Sequence, residues 1–168
     1  ATGSIGFSTL DVGRRHRDRY QVFALVAGWN VEALAAQIQE FRPQLAVVAT
    51  ENALANLTEK LSQSRLPRAQ WPELMCGGHA RVVAATAVEV DFVMSAIVGV
   101  AGLEATHEAA RSGKQIGLAN KEVLVASGKL ILEAARKAGA EIIPVDSEHN
   151  GAHQCLKAGR RDEVSRLI

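Results

Sequence analysis

An excess of charge of either sign is what this 168-residue chain most plainly lacks: 19 basic and 18 acidic side chains leave a formal net charge of +1. No global field therefore draws it toward nucleic acid or an anionic membrane surface, and neither is expected as a partner. Any charged ligand must be held locally. Cysteine is nearly absent too, with Cys76 and Cys155 far apart and in no C-x-x-C arrangement. That usage suits reduced thiols, so a cytoplasmic location is expected. No apolar run reaches the roughly 18 residues a membrane-spanning helix needs. The first residues are glycine-rich rather than basic and then apolar, unlike a secretory signal. Repeats of 20 to 50 residues, heptads and low-complexity tracts are missing, which sets repeat architectures aside. An initiating methionine is also missing. The chain opens at Ala1 in what reads as a loop entering a helix and closes on Arg166-Leu167-Ile168, where an apolar run starts, so a fragment of a longer protein is expected.

What is present is apolar content, 48% of the residues, enough for one domain to bury a core without disulfide or metal staples. Short apolar, β-branched stretches recur at 20–27, 45–49, 92–97, 115–119 and 141–145, with a further short strand around 74–76. Between them lie segments of helical spacing. Val31 to Phe41 sets Leu34, Ile38 and Phe41 on one face, and Lys121 to Ala138 does the same with Leu124, Leu132 and Ala135. Such alternation predicts an α/β, doubly wound, mostly parallel sheet with helices on both faces. The stretch "SQSRLPRAQWPE" at 62–73 reads as a surface connection within the domain. After Val145 the composition turns polar, as in "KAGRRDEV". A nucleotide-binding domain is therefore expected over 1–144, with a second domain beginning at 145–168.

The opening "ATGSIG" places Gly3 and Gly6 three positions apart, followed by Phe7 to about Arg15 with helical character. Glycines at this spacing let a backbone approach a pyrophosphate and let a helix start tight against a sheet, with its first amides facing the anion. Past the next strand, NAD enzymes usually carry an acid for the ribose hydroxyls. Here the segment is Ala27-Gly28-Trp29-Asn30. The missing acid favours NADP over NAD, yet no lysine or arginine takes its place. Trp29 either stacks on adenine or shields a core edge.

In an open parallel sheet, ligands bind beyond the carboxyl ends of the strands. Three clusters stand there. The small, apolar run Val98 to Gly102 suits a nicotinamide ring or simply a close turn. In Asn120-Lys121-Glu122, Asn120 reads as an N-cap and Glu122 as a first-turn acid. That reading accounts less well for Lys121, a cation at the positive end of a helix, whose charge an anionic ligand would ease. In "PVDSEHN", Asp146 and Glu148 point to the same side if the chain is still extended. Two such carboxylates either share a divalent ion, Mg²⁺ or Mn²⁺ rather than Zn²⁺, or splay into water. His149 reads as a polar packing residue.

Taken in order, "ATGSIGFSTLDV", "ALVAGWN", "AIVGVAGLEAT", "LANKEVLV" and "PVDSEHN" resemble the 1-deoxy-D-xylulose 5-phosphate reductoisomerase family over nearly the whole chain. The resemblance implies the NADPH-binding Rossmann-like domain of a longer homodimeric enzyme, its first strand lying outside this chain. It also implies that 145–168 starts the domain that binds metal and substrate. The implied reaction is an NADPH- and divalent-metal-dependent rearrangement and reduction of 1-deoxyxylulose 5-phosphate to 2-C-methylerythritol 4-phosphate, in non-mevalonate isoprenoid synthesis. By matching motifs, Thr2, Gly3, Ser4 and Ile5 would hold the pyrophosphate, and Gly28, Trp29 and Asn30 the adenosine phosphate. Asn120 and Glu122 would also touch NADPH. Lys121 would be catalytic and bind the phosphorylated sugar, and Ser147 would bind it too. Asp146 and Glu148 would ligate Mn²⁺ or Mg²⁺, Glu148 also being catalytic and reaching substrate. Trp29 stands where the family usually has a basic residue, and Asn150-Gly151-Ala152-His153-Gln154 departs from the usual "NAIFQ". The third metal ligand and the phosphate site would lie elsewhere, so this piece alone is expected to be inactive. Two other readings stay open: an NADP-linked semialdehyde dehydrogenase using Cys155 with His153 as its base, and a non-enzymatic nucleotide-binding module.

Overall fold

A computed structural model describes residues 1–166, so the apolar run expected at Leu167-Ile168 lies outside the described residues. Helix α1 (Ser4–Arg15) leads into β1 (Ala24–Val26), α2 (Val31–Phe41), β2 (Leu45–Val48), α3 (Glu51–Ser62) and β3 (Glu73–Cys76). Then follow α4 (Gly77–Thr86), β4 (Phe92–Ser95), α5 (Leu103–Arg111), β5 (Gln115–Leu118), α6 (Lys121–Ala138), β6 (Ile142–Pro144) and α7 (Ser147–Ala158). The expected alternation and parallel pairing are met. The strands end sooner than the apolar runs because the ladder pairs only their middles: Ala24 to Val26 match Leu45 to Val47, whereas 20–23 lie outside the strand.

Hydrogen bonding divides the strands into two three-stranded parallel sheets, ordered β1-β2-β3 and β4-β5-β6. The backbone nitrogen of Ala1 donates to the carbonyl of Val26 in β1.

Each sheet has its own packing. Leu25 of β1, Leu34 and Ile38 of α2 and Leu57 of α3 form one fully apolar cluster with Leu10 of α1. On the opposite face of the same sheet, Leu45 and Val47 meet Ala80 and Ala84 of α4. The third cluster joins Ile116 of β5 to Ala109 of α5 and to Val123 and Ile131 of α6. Helices thus cover both faces, and a buried leucine or isoleucine here contributes about 1.5–3 kcal/mol. Helix α4 also packs along α5, joining the two halves through side chains.

Local signals explain the helix ends. Asn30 caps α2 by accepting from the Ala33 amide at 3.1 Å, and Thr50 caps α3 by accepting from Ala53 at 3.3 Å. Gly139 stops α6 in the left-handed region at φ 72°, where glycine carries no Cβ penalty. Within α6 the helix is broken at Ser127, φ −148° and ψ 24°. Helix α7 follows β6 directly and buries no residue.

Candidate active site at the carboxyl ends of the strands

Because all strand pairs are parallel, every following helix begins at the carboxyl rim of its sheet, and the candidate residues collect there. The glycine turn is tighter than the sequence predicts. The helix expected from about Phe7 already starts at Ser4, with Gly3 as its N-cap at φ −92° and ψ 173° and no side-chain cap. The first amides of α1, near Thr2, Ser4 and Ile5, are thus left for an anion or for solvent. Gly6 lies inside the first turn, where a Cβ would run into the backbone of Ala1.

At the end of β1 the backbone of Gly28-Trp29-Asn30 is pinned. Gly28 carbonyl accepts from Ala49, Trp29 carbonyl from Val31, and Asn30 carbonyl from Leu34. The alternative in which Trp29 shields a core edge falls: the residue is 71% exposed.

Asn120 differs from a plain N-cap. It precedes α6, but its side chain makes no cap bond and is buried, at 3% exposure. Its amide nitrogen donates to the carbonyls of Ile97 and Gly99, the latter at 2.7 Å, and its amide oxygen is buried without a partner. The run Val98 to Gly102 proves to be a close turn, a 3-10 segment over Gly99–Gly102, with Gly99 at φ 70°. Asn120 therefore holds the turn after β4 against the head of α6. Replacing it by alanine strands two carbonyls and is expected to destabilise the fold by about 1–3 kcal/mol, read as a lower urea midpoint. Sequence reasoning had no means of finding these partners, 21 and 23 positions away.

Lys121 and Glu122 both stand exposed in the first turn of α6. Lys121 lines a hollow of about 230 Å³ together with Asp146 and His149, over an apolar floor that includes Leu118, Leu132 and Ile142. The extended geometry expected at Asp146 and Glu148 is not what forms. Asp146 is the N-cap of α7 and Glu148 lies in that helix's first turn, exposed and outside the hollow's lining. The signal was present, since aspartate is a strong N-cap residue and an acid in the first turn complements the helix dipole. Asp146 makes no capping bond of its own, which leaves its carboxylate available. Asn150, not singled out from sequence, fixes this turn by donating from its side chain to the carbonyl of Pro144 at 2.6 Å.

Two side issues are settled by geometry. His149 is no packing residue, being exposed with Nδ1 3.5 Å from Asp146. His153 and Cys155 both lie on α7 two positions apart, so they do not face each other and the histidine is badly placed to activate that thiol. The other thiol, Cys76, donates to Glu51 at 3.0 Å, and this bond to the carboxylate raises its pKa.

For a bound ion, Asp146 and Glu148 offer hard oxygen donors of the kind Mg²⁺ and Mn²⁺ take. Among the described residues, no group of three or more possible metal ligands converges.

The sequence model for 1-deoxy-D-xylulose 5-phosphate reductoisomerase matches residues 1–128. The reductoisomerase of Solibacter usitatus is 63% identical over 168 residues, which are 100% of this chain and 42% of the relative. That of Geotalea uraniireducens is 44% identical with the same coverage, 100% and 42%. Among solved structures, the reductoisomerase from Zymomonas mobilis in complex with NADPH aligns at TM-score 0.87 and 45% identity, covering 98% of this chain and 42% of that one. A DOX-P reductoisomerase in complex with NADPH, fosmidomycin and magnesium aligns at TM-score 0.85 and 42% identity, covering 92% of this chain and 37% of that one. The chain thus spans 42% of the length of these curated relatives.

Proposed function

This chain belongs to the 1-deoxy-D-xylulose 5-phosphate reductoisomerase family, and from that premise we propose that the full-length protein rearranges 1-deoxy-D-xylulose 5-phosphate and reduces it to 2-C-methyl-D-erythritol 4-phosphate. The described residues supply the NADPH-binding domain, 1–144, and the opening of the catalytic domain from 145. The single observation that carries this reading is the shared hollow in which Lys121, from the head of α6, and Asp146, from the head of α7, line one wall system at the ends of β5 and β6.

The roles follow from placement. The uncapped first turn of α1, with Thr2, Gly3, Ser4 and Ile5, receives the pyrophosphate. Gly28, Trp29 and Asn30 receive the adenosine end, and Asn120 and Glu122 flank the nicotinamide end beside the turn that Asn120 holds. Lys121 donates to a substrate oxygen and stabilises negative charge as it develops there. Ser147 and Glu148 complete the substrate contacts, and Asp146 and Glu148 are the ligands this chain gives to Mn²⁺ or Mg²⁺. When bound, the ion supplies Lewis-acid polarisation of substrate oxygens and NADPH supplies the hydride. Glu148 joins Asp146 by turning its exposed side chain. The protein works in the cytoplasm as a homodimer, without nucleic acid or membrane. No helix among the described residues is long and apolar enough to cross a bilayer.

The test is turnover of 1-deoxyxylulose 5-phosphate by the full-length protein with NADPH and Mg²⁺, followed as loss of reduced cofactor and by mass of the product. Chelation should abolish turnover and added Mg²⁺ or Mn²⁺ should restore it. NADPH binding without any turnover would overturn the enzyme reading in favour of a nucleotide-responsive module.

A further inference from the structure

Strand β6 passes into helix α7 through Val145 and Asp146, and the peptide units on both sides of that pair are held by Asn150. On the strand side, the unit joining Pro144 to Val145 is fixed at both ends. Its N–H donates to the carbonyl of Leu118 at 2.9 Å, and its carbonyl accepts from the Asn150 side chain at 2.6 Å. On the helix side, the carbonyl of Asp146 accepts from the Asn150 backbone N–H at 2.7 Å. A carbonyl can only accept, so the Asn150 amide nitrogen must face Pro144, and its oxygen is left to accept from the side chain of Gln154. One residue thus sets where the Cα of Asp146 stands and which way its side chain leaves the backbone.

Little else in α7 could do so. Asp146 makes no capping bond, and none of the helix's residues is buried. Lys157 pairs with Glu141 at 2.8 Å farther along the helix, but both side chains are exposed, and such a pair contributes little. The Leu118 carbonyl belongs to β5, and α6 starts at Lys121 just beyond that strand's end. The clamped peptide unit therefore also sets Asp146 relative to Lys121 across the hollow that both residues line. Partners that orient a metal's ligands without touching the ion are typically worth about ten- to a hundredfold in metal affinity.

We propose that Asn150 is a positioning residue for the metal site: by clamping the peptide units around Val145-Asp146 it holds the Asp146 carboxylate ready for a divalent cation at the hollow. This rests on the reading of Asp146 as a metal ligand.

The experiment is calorimetric titration of the full-length protein with Mn²⁺ and, separately, with NADPH, for the wild type, Asn150→Ala and Asn150→Asp, beside a urea melt of each. Asn150→Ala should raise the Mn²⁺ Kd by about tenfold or more. Its NADPH Kd should stay within about twofold, since none of the bonds Asn150 makes reaches α1. Turnover lost at low Mn²⁺ should return as Mn²⁺ is raised. Asn150→Asp keeps the shape, removes the donor that faces Pro144 and adds a negative charge near the ion. Charge alone would tighten Mn²⁺, whereas a lost clamp weakens it, and weaker binding than the wild type is expected. A fall in the urea midpoint with the Mn²⁺ affinity of Asn150→Ala within about twofold of the wild type overturns the proposal and leaves Asn150 a structural residue. Equal or tighter Mn²⁺ binding by Asn150→Asp overturns it too, and that variant decides if Asn150→Ala does not fold. Folded wild-type protein that binds NADPH but no Mn²⁺ would overturn the metal reading of Asp146, and this proposal with it.

Discussion

Full-length protein carrying Asp146→Asn is expected to lose at least about a hundredfold in kcat, the scale of removing one electrostatic group worth about 3 kcal/mol at the transition state. The amide keeps the shape of the side chain and removes its charge. Stability should stay within about 0.5 kcal/mol, because the carboxylate caps nothing and its only ion-pair partner, among the described residues, is the exposed His149 at 3.5 Å. Activity titrated against Mg²⁺ or Mn²⁺, alongside a urea melt, separates the two effects. Turnover close to the wild type at low metal would remove Asp146 from the metal site. A fall in stability equal to the fall in activity would make it a structural residue instead.

The second large effect is expected at Gly6. An alanine there places its Cβ on the backbone of Ala1, which cannot rotate away as a side-chain tip would. Forced overpacking destabilises by about 1–3 kcal/mol, and because this clash bears on backbone it belongs at the upper end of that range. Gly3→Ala makes the contrasting case. Nothing lies within 4 Å of the added Cβ, and φ of −92° suits any residue. Its fold should change by under about 1 kcal/mol, while NADPH binding weakens because the methyl stands at the mouth of the uncapped first turn. Paired denaturant curves and cofactor titrations of the two variants check this. Equal stability of both would mean that the first turn of α1 moves freely past Ala1.

How much of this was legible in the sequence depended on how far apart the interacting residues are. Helix α6 and its end at Gly139 could be read because helical spacing and a stop residue are local. So could β2, whose four residues are all buried and all apolar. The duty of Asn120 could not, because its carbonyl partners sit in a turn from another strand. The Asp146 region falls between these cases. A strand-like run ending in Pro144-Val145 made an extended continuation look natural, whereas aspartate followed by an acid two positions on is also how a helix opens, and the helix won. Trp29 was ambiguous for a different reason: an indole serves a core or a surface equally well, and only its exposure decides.

Helix α4 serves two neighbours at once, meeting Leu45 and Val47 through Ala80 and Ala84 while its flank runs along α5. Small side chains let it lie that close, so a bulkier residue at Ala80 would push against a strand and a helix together.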